Sequence, residues 1–217
     1  YVNISDLVAL EDDLLKLTGG VTFYKSDVEF KNVSIQNVFA EDALNIIESN
    51  FILDSIIVEN VISDGFDSDF SKGSVLSSRF SDIGGDALDF SGSSVLIDKT
   101  EVTTTRDKAV SAGEKSTLTV IDSNFFDIGV GVASKDGSTV TVSGTKIFDY
   151  ELYGAMTYLK KDFYDMPHLS ISDSIVSEGG VRPYIRQKGT NMTVDGIDIP
   201  ETKISVKKLY ATEVMSK

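Results

Sequence analysis

AEDALNI (40–46), SDGFDSD (63–69) and GGDALDF (84–90) repeat one short pattern at a spacing of 22 residues. In each copy, an aspartate stands two positions before an apolar residue, and a second polar residue follows directly after it. The apolar column continues at nearly the same spacing, as Leu44, Phe66, Leu88, Val110 and Val132. A fixed period of this length is typical of solenoids, in which each repeat stacks on its neighbours. The stretch therefore predicts a coil with 22–23 residues in each turn.

Between these copies, short segments alternate apolar and polar residues. Examples are Val95 and Ile97, Leu118 and Val120, and Val140 and Val142. Alternation with a period of two indicates strands with one buried face, separated here by turns rich in Ser, Gly and Asp. A leucine-rich repeat has a similar period, but it requires leucines at fixed places and an Asn or Cys ladder, which this sequence lacks. We therefore predict an all-β protein, a right-handed parallel β-helix of about eight rungs over residues 21–199.

Three segments depart from the repeat. Residues 1–20 carry leucines at helical spacing before a Gly-Gly pair, which predicts a short helical cap or an irregular first strand. Residues 157–168 lengthen one step of the repeat to 29 residues and predict an inserted loop. Residues 200–217 are charged, and they predict a C-terminal cap or a linker to a following domain.

Composition narrows the classes of function. The 217 residues include 20 Lys and Arg against 34 Asp and Glu, a net charge of −14, which disfavours nucleic acid and anionic membranes as partners. The chain has no cysteine, so disulfides and thiolate metal sites are excluded. No apolar run approaches the length of a membrane span. Because the sequence starts at Tyr1 with no signal-like segment, we expect a piece of a longer extracellular or cell-surface protein with covalently adjoining domains.

Aligning the rungs stacks polar side chains around the apolar column. They are Asp42, Asp64, Asp86 and Lys108 two positions before it, Asn45, Asp67 and Asp89 one position after it, Asp69 three positions after it, and Arg106 and Asp107 beside Lys108. Equivalent residues of neighbouring rungs lie about 4.8 Å apart, so the carboxylates should raise one another's pKa, share protons or bind a cation. Calcium takes carboxylate oxygens at such density. The predicted calcium ligands are Asp64, Asp67, Asp86 and Asp89.

This acidic ladder has other interpretations. Asp and Asn at turns also form hydrogen-bonding ladders that serve folding alone. For an enzyme, we place Asp64, Asp86, Asp89 and Lys108 at the catalytic centre. For a binding protein, the predicted ligand contacts are Asp42, Asn45, Asp67, Asp69, Arg106, Asp107 and Tyr158. Tyr158 is included because it belongs to the aromatic residues around the inserted loop, which can stack on sugar rings.

The repeat region as a whole, residues 21–199, resembles the right-handed parallel β-helix proteins of the pectin-lyase-like superfamily. The phrases that carry the resemblance are DALNI (42–46), GGDALDFSGS (84–93), RDKAVSAGEKS (106–116) and GVASKDGS (131–138). The resemblance implies a domain of a large secreted or surface protein and a carbohydrate ligand, but no particular reaction.

A narrower resemblance concerns the polygalacturonase-type glycoside hydrolases. DGFD (64–67) is similar to their Asp-Gly-Ile-Asp segment, and GGDAL (84–88) to their Gly-Asp-Asp-Cys-Val segment, which implies catalytic aspartates at Asp67 or Asp64 and at Asp86. Gly85 replaces one of the family's paired aspartates, and the Gly-His-Gly and Arg-Ile-Lys motifs are missing. Adjacent rungs put Asp64 and Asp86 about 5 Å apart, which is nearer to the carboxylate separation of retaining than of inverting glycosidases.

These observations lead to one preferred function and two alternatives. We predict a β-helix module that binds or displays polysaccharide with the help of calcium. The first alternative is a polysaccharide lyase, epimerase or glycoside hydrolase that uses the acidic ladder. The resemblance to lyases of this fold, which abstract a proton with Lys or Arg beside calcium, implies Lys108 or Arg106 for that role. The second alternative is a purely structural spacer.

Overall fold

The computed structural model describes residues 1–11 and 16–215. They form a right-handed parallel β-helix of about eight turns, which confirms the predicted fold. The first four rungs contain β1 (Val2–Val8), β2 (Gly19–Tyr24), β3 (Val28–Lys31), β4 (Val33–Phe39), β5 (Asp42–Ile47), β6 (Asn50–Asp54), β7 (Ile57–Val61), β8 (Asp64–Asp69), β9 (Lys72–Leu76), β10 (Arg79–Ile83), β11 (Leu88–Ser91) and β12 (Ser94–Asp98). The later rungs contain β13 (Glu101–Gly113), β14 (Thr117–Ile121), β15 (Asn124–Lys135), β16 (Thr139–Ser143), β17 (Lys146–Tyr158), β18 (His168–Ser172), β19 (Ile175–Gly179), β20 (Arg182–Gln187), β21 (Asn191–Val194), β22 (Ile197–Asp198), β23 (Glu201–Thr202) and the one-turn helix α1 (Val206–Leu209).

The strands line three faces of the coil. Face 1 runs β1, β4, β7, β10, β13, β15, β17 and β19, and face 2 runs β2, β5, β8, β11, β13, β15, β17, β20 and β23. Face 3 runs β3, β6, β9, β12, β14, β16, β18 and β21, with β22 added in antiparallel orientation. Faces 1 and 2 merge into one 14-stranded sheet, because the long strands β13, β15 and β17 continue across the corner between them. Neighbouring rungs pair in parallel, so equivalent side chains stack in columns.

The predicted apolar column is the inward column of face 2. Leu44 pairs with Phe66, Phe66 with Leu88, Leu88 with Val110, and Val110 with Val132. All five side chains are fully buried in the main core. The column is therefore confirmed residue by residue, and it fixes the register of every polar residue beside it.

The corners of the coil are held by buried hydroxyl groups. Between faces 2 and 3, each serine Oγ accepts a hydrogen bond from a backbone N–H of the preceding rung, as Ser93 Oγ does from Ser71 N–H at 3.0 Å. The serines of this ladder are Ser49, Ser71, Ser93, Ser116 and Ser138. Buried backbone N–H groups need such partners where the chain turns. At this corner serines supply the ladder, whereas the sequence pointed to Asp and Asn.

The three departures from the repeat take different forms. Val2–Val8 is a strand that pairs with β4, so the helical cap is wrong over these residues and the first-strand alternative is right; residues 12–15 lie outside the described residues. The inserted loop leaves the coil between β17 and β18. No helix in the described residues is long and apolar enough to cross a membrane. After β23, residues 204–215 turn back onto the side of face 2, and we call this segment the strap.

Candidate functional site

The polar ladder gathers at the start of face 2, where β5, β8, β11 and β13 lie side by side. Asp42 pairs with Asp64, and Asn45, Asp67 and Asp89 form a second column. We call Asp42, Asp64, Asp67, Asp69, Asp86 and Asp89 the acidic cluster, and Asp107, Lys108 and Lys135 the lysine end. The structure thus brings together every predicted site residue of the ladder, with Arg106 at its margin.

Asp64 and Asp86 connect consecutive rungs through their carboxylates. Asp64 Oδ1 accepts a hydrogen bond from the Asp86 N–H at 2.9 Å, and Asp86 Oδ1 accepts one from the Lys108 N–H at 3.0 Å. Both side chains are buried. Gly85 makes this possible, because a Cβ at that position would collide with Asp64 Oδ1. These two aspartates therefore have a folding role in addition to any chemistry, as the ladder interpretation predicted.

Lys108 ends this ladder with a buried ion pair. Its Nζ lies 2.7 Å from Asp107 Oδ2 and 3.0 Å from Asp86 Oδ1, and the residue is 1% exposed. Burial by itself lowers the pKa of Lys108, but Asp86 and Asp107 outweigh it and raise that pKa above its ordinary value. Lys108 is therefore a fixed ammonium group, and it is not a proton acceptor in this arrangement.

Lys135 is a second buried ammonium group, which the sequence did not single out. Its Nζ lies 3.7 Å from Asp89 Oδ1. The side chain crosses Gly113 of the preceding rung, where a Cβ would approach Lys135 Cε to 3.1 Å. Burial lowers the pKa of Lys135, whereas Asp89 raises it more strongly, so the net shift is upward. The signal was present, because Lys135 stands in the column of Asp69 and Gly113 three positions after the apolar one.

Negative charge still exceeds positive charge in this part of the site. Burial and then Asp89 raise the pKa of Asp67 to about 9, and burial and then Asp89 raise the pKa of Asp69 to about 6. At the lysine end, burial and then Asp86 raise the pKa of Asp107 to about 6, against the opposing effect of Lys108. Carboxylates that crowd in this way either hold protons or attract a cation.

The arrangement offers one group of cation ligands in the described residues. A carboxylate oxygen from each of Asp64, Asp86 and Asp89 lies within 4.8 Å of the other two. Asp67, the fourth predicted ligand, is not part of this group. Two oxygens that bind one calcium ion lie at most about 5 Å apart, which is twice the calcium–oxygen distance. The three carboxylates therefore fit the size and the chemistry of a calcium site.

The strap covers the far side of face 2. Its buried residues Leu209, Val214 and Met215 pack on the outward side chains of Val130, Ala133, Met156, Tyr158 and Ile185. Tyr158 is fully buried there, and its hydroxyl lies 2.8 Å from that of Tyr210. The prediction that Tyr158 contacts a ligand is therefore wrong for this arrangement, because the strap covers the ring. Arg106 Nη2 donates a hydrogen bond to the Glu213 carbonyl oxygen at 2.9 Å and so contacts the strap.

The raised pKa values predict how stability depends on pH. An unfolded aspartate loses its proton near pH 3.9, whereas folded Asp67 keeps its proton up to about pH 9. The unfolded state therefore binds fewer protons over that window, and stability falls as pH rises through it, by at most about 1.4 kcal/mol per pH unit for this one group. Asp69 and Asp107 add to the fall only up to about pH 6. We expect Asp67→Asn to flatten the slope above pH 6 in urea unfolding.

The control for this prediction is Asp198→Asn on an exposed strand. It should keep the wild-type slope, since the substitution lies outside the acidic cluster. A wild-type protein whose urea midpoint does not fall between about pH 6 and pH 8.5 would contradict the proton assigned to Asp67.

Comparison with known proteins gives one family and a few distant structures. A family model described as right handed beta helix region matches residues 19–165 and, in a second match, residues 66–196. No curated protein matches the sequence. Among solved structures, the catalytic domain of a GH87 alpha-1,3-glucanase in complex with tetrasaccharides is 10% identical with a TM-score of 0.36, and the match covers 88% of this chain and 53% of that one. Trypsin-treated QnrB1, a plasmid-mediated fluoroquinolone resistance protein, is 12% identical with a TM-score of 0.30, covering 88% and 94%.

Proposed function

The chain belongs to the right-handed β-helix family, and on that premise we propose that face 2 binds polysaccharide at the acidic cluster with the help of a calcium ion. The observation that carries this proposal is the convergence of Asp64, Asp86 and Asp89 within 4.8 Å. Calcium takes six to eight oxygen ligands, so three carboxylates leave positions for the oxygens of a ligand. Hydroxyl and carboxylate groups of a sugar supply oxygens of this kind.

The exposed part of the cluster supports a repeating ligand. Asp67, Asp69 and Asp89 are only partly buried, whereas Asp42, Asp64 and Asp86 lie beneath the surface. Asp67 and Asp89 stand in register on adjacent strands, about 4.8 Å apart along the coil. Carboxylates accept hydrogen bonds from hydroxyl groups. A row of acceptors repeated along a flat sheet suits a chain that presents hydroxyl groups at regular intervals.

Calcium should stabilise the folded chain through Asp89. A ligand that binds only the folded state adds about 2.7 kcal/mol to the free energy of unfolding at 100 times its Kd. We expect the melting temperature to rise with millimolar calcium, and Asp89→Asn to weaken that rise by removing one charged ligand. Exposed Asp198→Asn is the matched control and should melt like the wild type at each calcium concentration. Absence of any calcium-dependent shift in the wild type would contradict the cation site.

The polysaccharide itself is tested with a panel of uronic-acid and neutral polysaccharides, in calcium and in chelator. We expect calcium-dependent retention of the protein on at least one member of the panel and loss of retention in Asp89→Asn. Retention that is equal in calcium and in chelator would remove the role of the cation. No retention on any member would favour the structural spacer instead.

A second function, polysaccharide cleavage or epimerisation, is favoured by one observation. Asp67, whose pKa is raised to about 9 by burial and by Asp89, holds a proton at neutral pH in a partly exposed position. A carboxylic acid that keeps its proton at neutral pH is suited to act as a general acid. The same panel decides this point when reducing ends and unsaturated products are assayed. An enzyme requires product formation that Asp67→Asn abolishes while binding is retained.

A further inference from the structure

We propose that the strap is a gate over the lysine end of the site, which closes the site when it is docked and opens it when it detaches from face 2. The proposal rests on the proposed function for what the open site binds, but the gate itself follows from the packing of residues 204–215. The strap is anchored on the neighbouring outward side chains of face 2. It adds Tyr210 to a cavity that is otherwise lined by Asp86, Asp89, Asp107, Lys108, Lys135 and Lys160.

The strap can detach without breaking the β-helix. Within residues 204–215, the backbone–backbone hydrogen bonds all join one strap residue to another, as Tyr210 N–H to Val206 O at 3.1 Å. The strap therefore takes no part in the ladders that hold the rungs. Its apolar side chains form a small cluster with the outside of face 2, separate from the main core inside the coil. Segments with few buried contacts and no ladder bonds open locally at low cost.

Few polar contacts hold the strap in place. The Tyr158 and Tyr210 hydroxyls lie 2.8 Å apart, and Arg106 Nη2 donates to Glu213 O at 2.9 Å. Lys160 Nζ stands 4.6 Å from the centre of the Tyr210 ring, in a cation–π contact. Tyr210 is thus the residue through which the strap contacts both the coil and the wall of the cavity.

The space beneath the strap is not closely packed. Two cavities of about 170 Å³ each flank Asp107, one under Tyr210 and the other against Val214. Asp107 is buried and lines both cavities, and its Oδ1 has no hydrogen-bond partner in the structure. Protein interiors seldom leave such space or such an unsatisfied group. A cover that served packing alone would fill this space, whereas a cover that moves does not need to.

The gate is tested by the reactivity of lysines toward an amine-acylating reagent, read by mass spectrometry of the whole chain after digestion. In the wild type, Lys108 and Lys135 should react at least about tenfold more slowly than exposed Lys72 and Lys99, because they react only when the site opens. The double variant Leu209→Ala, Val214→Ala removes the apolar anchors of the strap. We expect it to raise labelling of Lys108 and Lys135 about tenfold, while amide exchange in the rungs stays as slow as in the wild type.

Two further proteins make the result decisive. Tyr210→Phe removes a single hydroxyl and should raise labelling of the two buried lysines in the same direction but less, without risk to folding. Ile52→Ala, Leu96→Ala on the outside of face 3 is the matched control and should leave both lysines protected. Buried lysines that stay unreactive while strap amides exchange freely would overturn the gate. Loss of amide protection in every rung would also overturn it, because the strap would then be part of the coil.

Calcium binding, measured by calorimetry in the same proteins, separates the gate from the proposed function. Tighter or faster calcium binding in the Leu209→Ala, Val214→Ala variant supports both. Raised labelling with no calcium binding in any of the proteins supports the gate and removes the proposed function. Raised labelling with equal calcium binding in the wild type and the variant would show that the strap does not control access to the site, which overturns the gate.

Discussion

Replacing Lys108 by methionine should lower the free energy of unfolding by about 3–5 kcal/mol, the cost of removing one partner from a buried ion pair. The Lys108 ammonium lies 2.7 Å from Asp107 and 3.0 Å from Asp86, and all three residues are nearly inaccessible to water. Without it, two buried carboxylates face each other with no opposite charge between them. They must then take up protons or draw water into the site, and both responses cost folding free energy.

Two further variants test the cause of this loss. Lys99→Met removes an exposed lysine whose Nζ lies 3.7 Å from Asp98, and it should change stability by less than about 1 kcal/mol, as is usual for surface pairs. Adding Asp107→Asn to Lys108→Met should recover part of the loss, since one of the two stranded charges is then gone. Urea unfolding of the three variants measures all of these differences. If Lys108→Met costs no more than Lys99→Met, the ammonium is solvated and the site is open in solution.

The sequence determined the register of the site because the repeat itself determines it. A slip of one residue would turn every inward side chain to the outside, so the buried column Leu44, Phe66 and Leu88 allows only one alignment. Once that column is placed, the stacking of Asp64 on Asp86 and of Asp67 on Asp89 follows without further information. For the same reason the step of 29 residues predicted the inserted loop, and Val140 indeed pairs with Leu169.

What lies outside the repeat was not predictable in this way. The strap has no period that relates it to the rungs, so nothing in its sequence indicated that Tyr210 would cover Tyr158. The N-terminal leucines fit helical spacing, yet the open end of a β-helix offers a template of unpaired backbone groups, and Val2–Val8 joins it as a strand. In both segments, contact with the coil outweighs local preference.

The chemistry of the cluster was predictable in kind but not in detail. Crowded carboxylates at rung spacing predicted shared protons or a cation, and the raised pKa values of Asp67 and Asp69 agree with the crowding. Which side chains lie beneath the surface depends on the neighbours that cover them. Asp86 is therefore committed to Lys108 and to a backbone N–H, whereas Asp89 keeps an exposed edge.

Truncation of Phe66 to alanine should cost about 3–5 kcal/mol, as expected for a fully buried aromatic residue. Phe66 is at the centre of an aromatic row, with its ring centre 5.2 Å from that of Phe51 and 5.8 Å from that of Phe90, and both contacts are edge-to-face. Alanine loses this buried area and leaves a cavity, which stacked strands on either side cannot easily collapse to fill. Phe39→Ala, which removes a ring that is 58% exposed, is the control and should change stability by no more than about 0.5 kcal/mol.

The same substitution tests whether the core positions the site. Phe66 lies in β8 between Asp64 and Asp67, and β8 pairs with β11, which carries Asp89. If the inward ring holds β8 against β11, Phe66→Ala should weaken the calcium-dependent rise in melting temperature, although no ligand is changed. Phe39→Ala should keep the full rise, since its ring lies outside the core on face 1. A variant that loses stability but keeps the wild-type calcium response would show that pairing of the rungs alone positions these carboxylates, without help from the aromatic row beneath them.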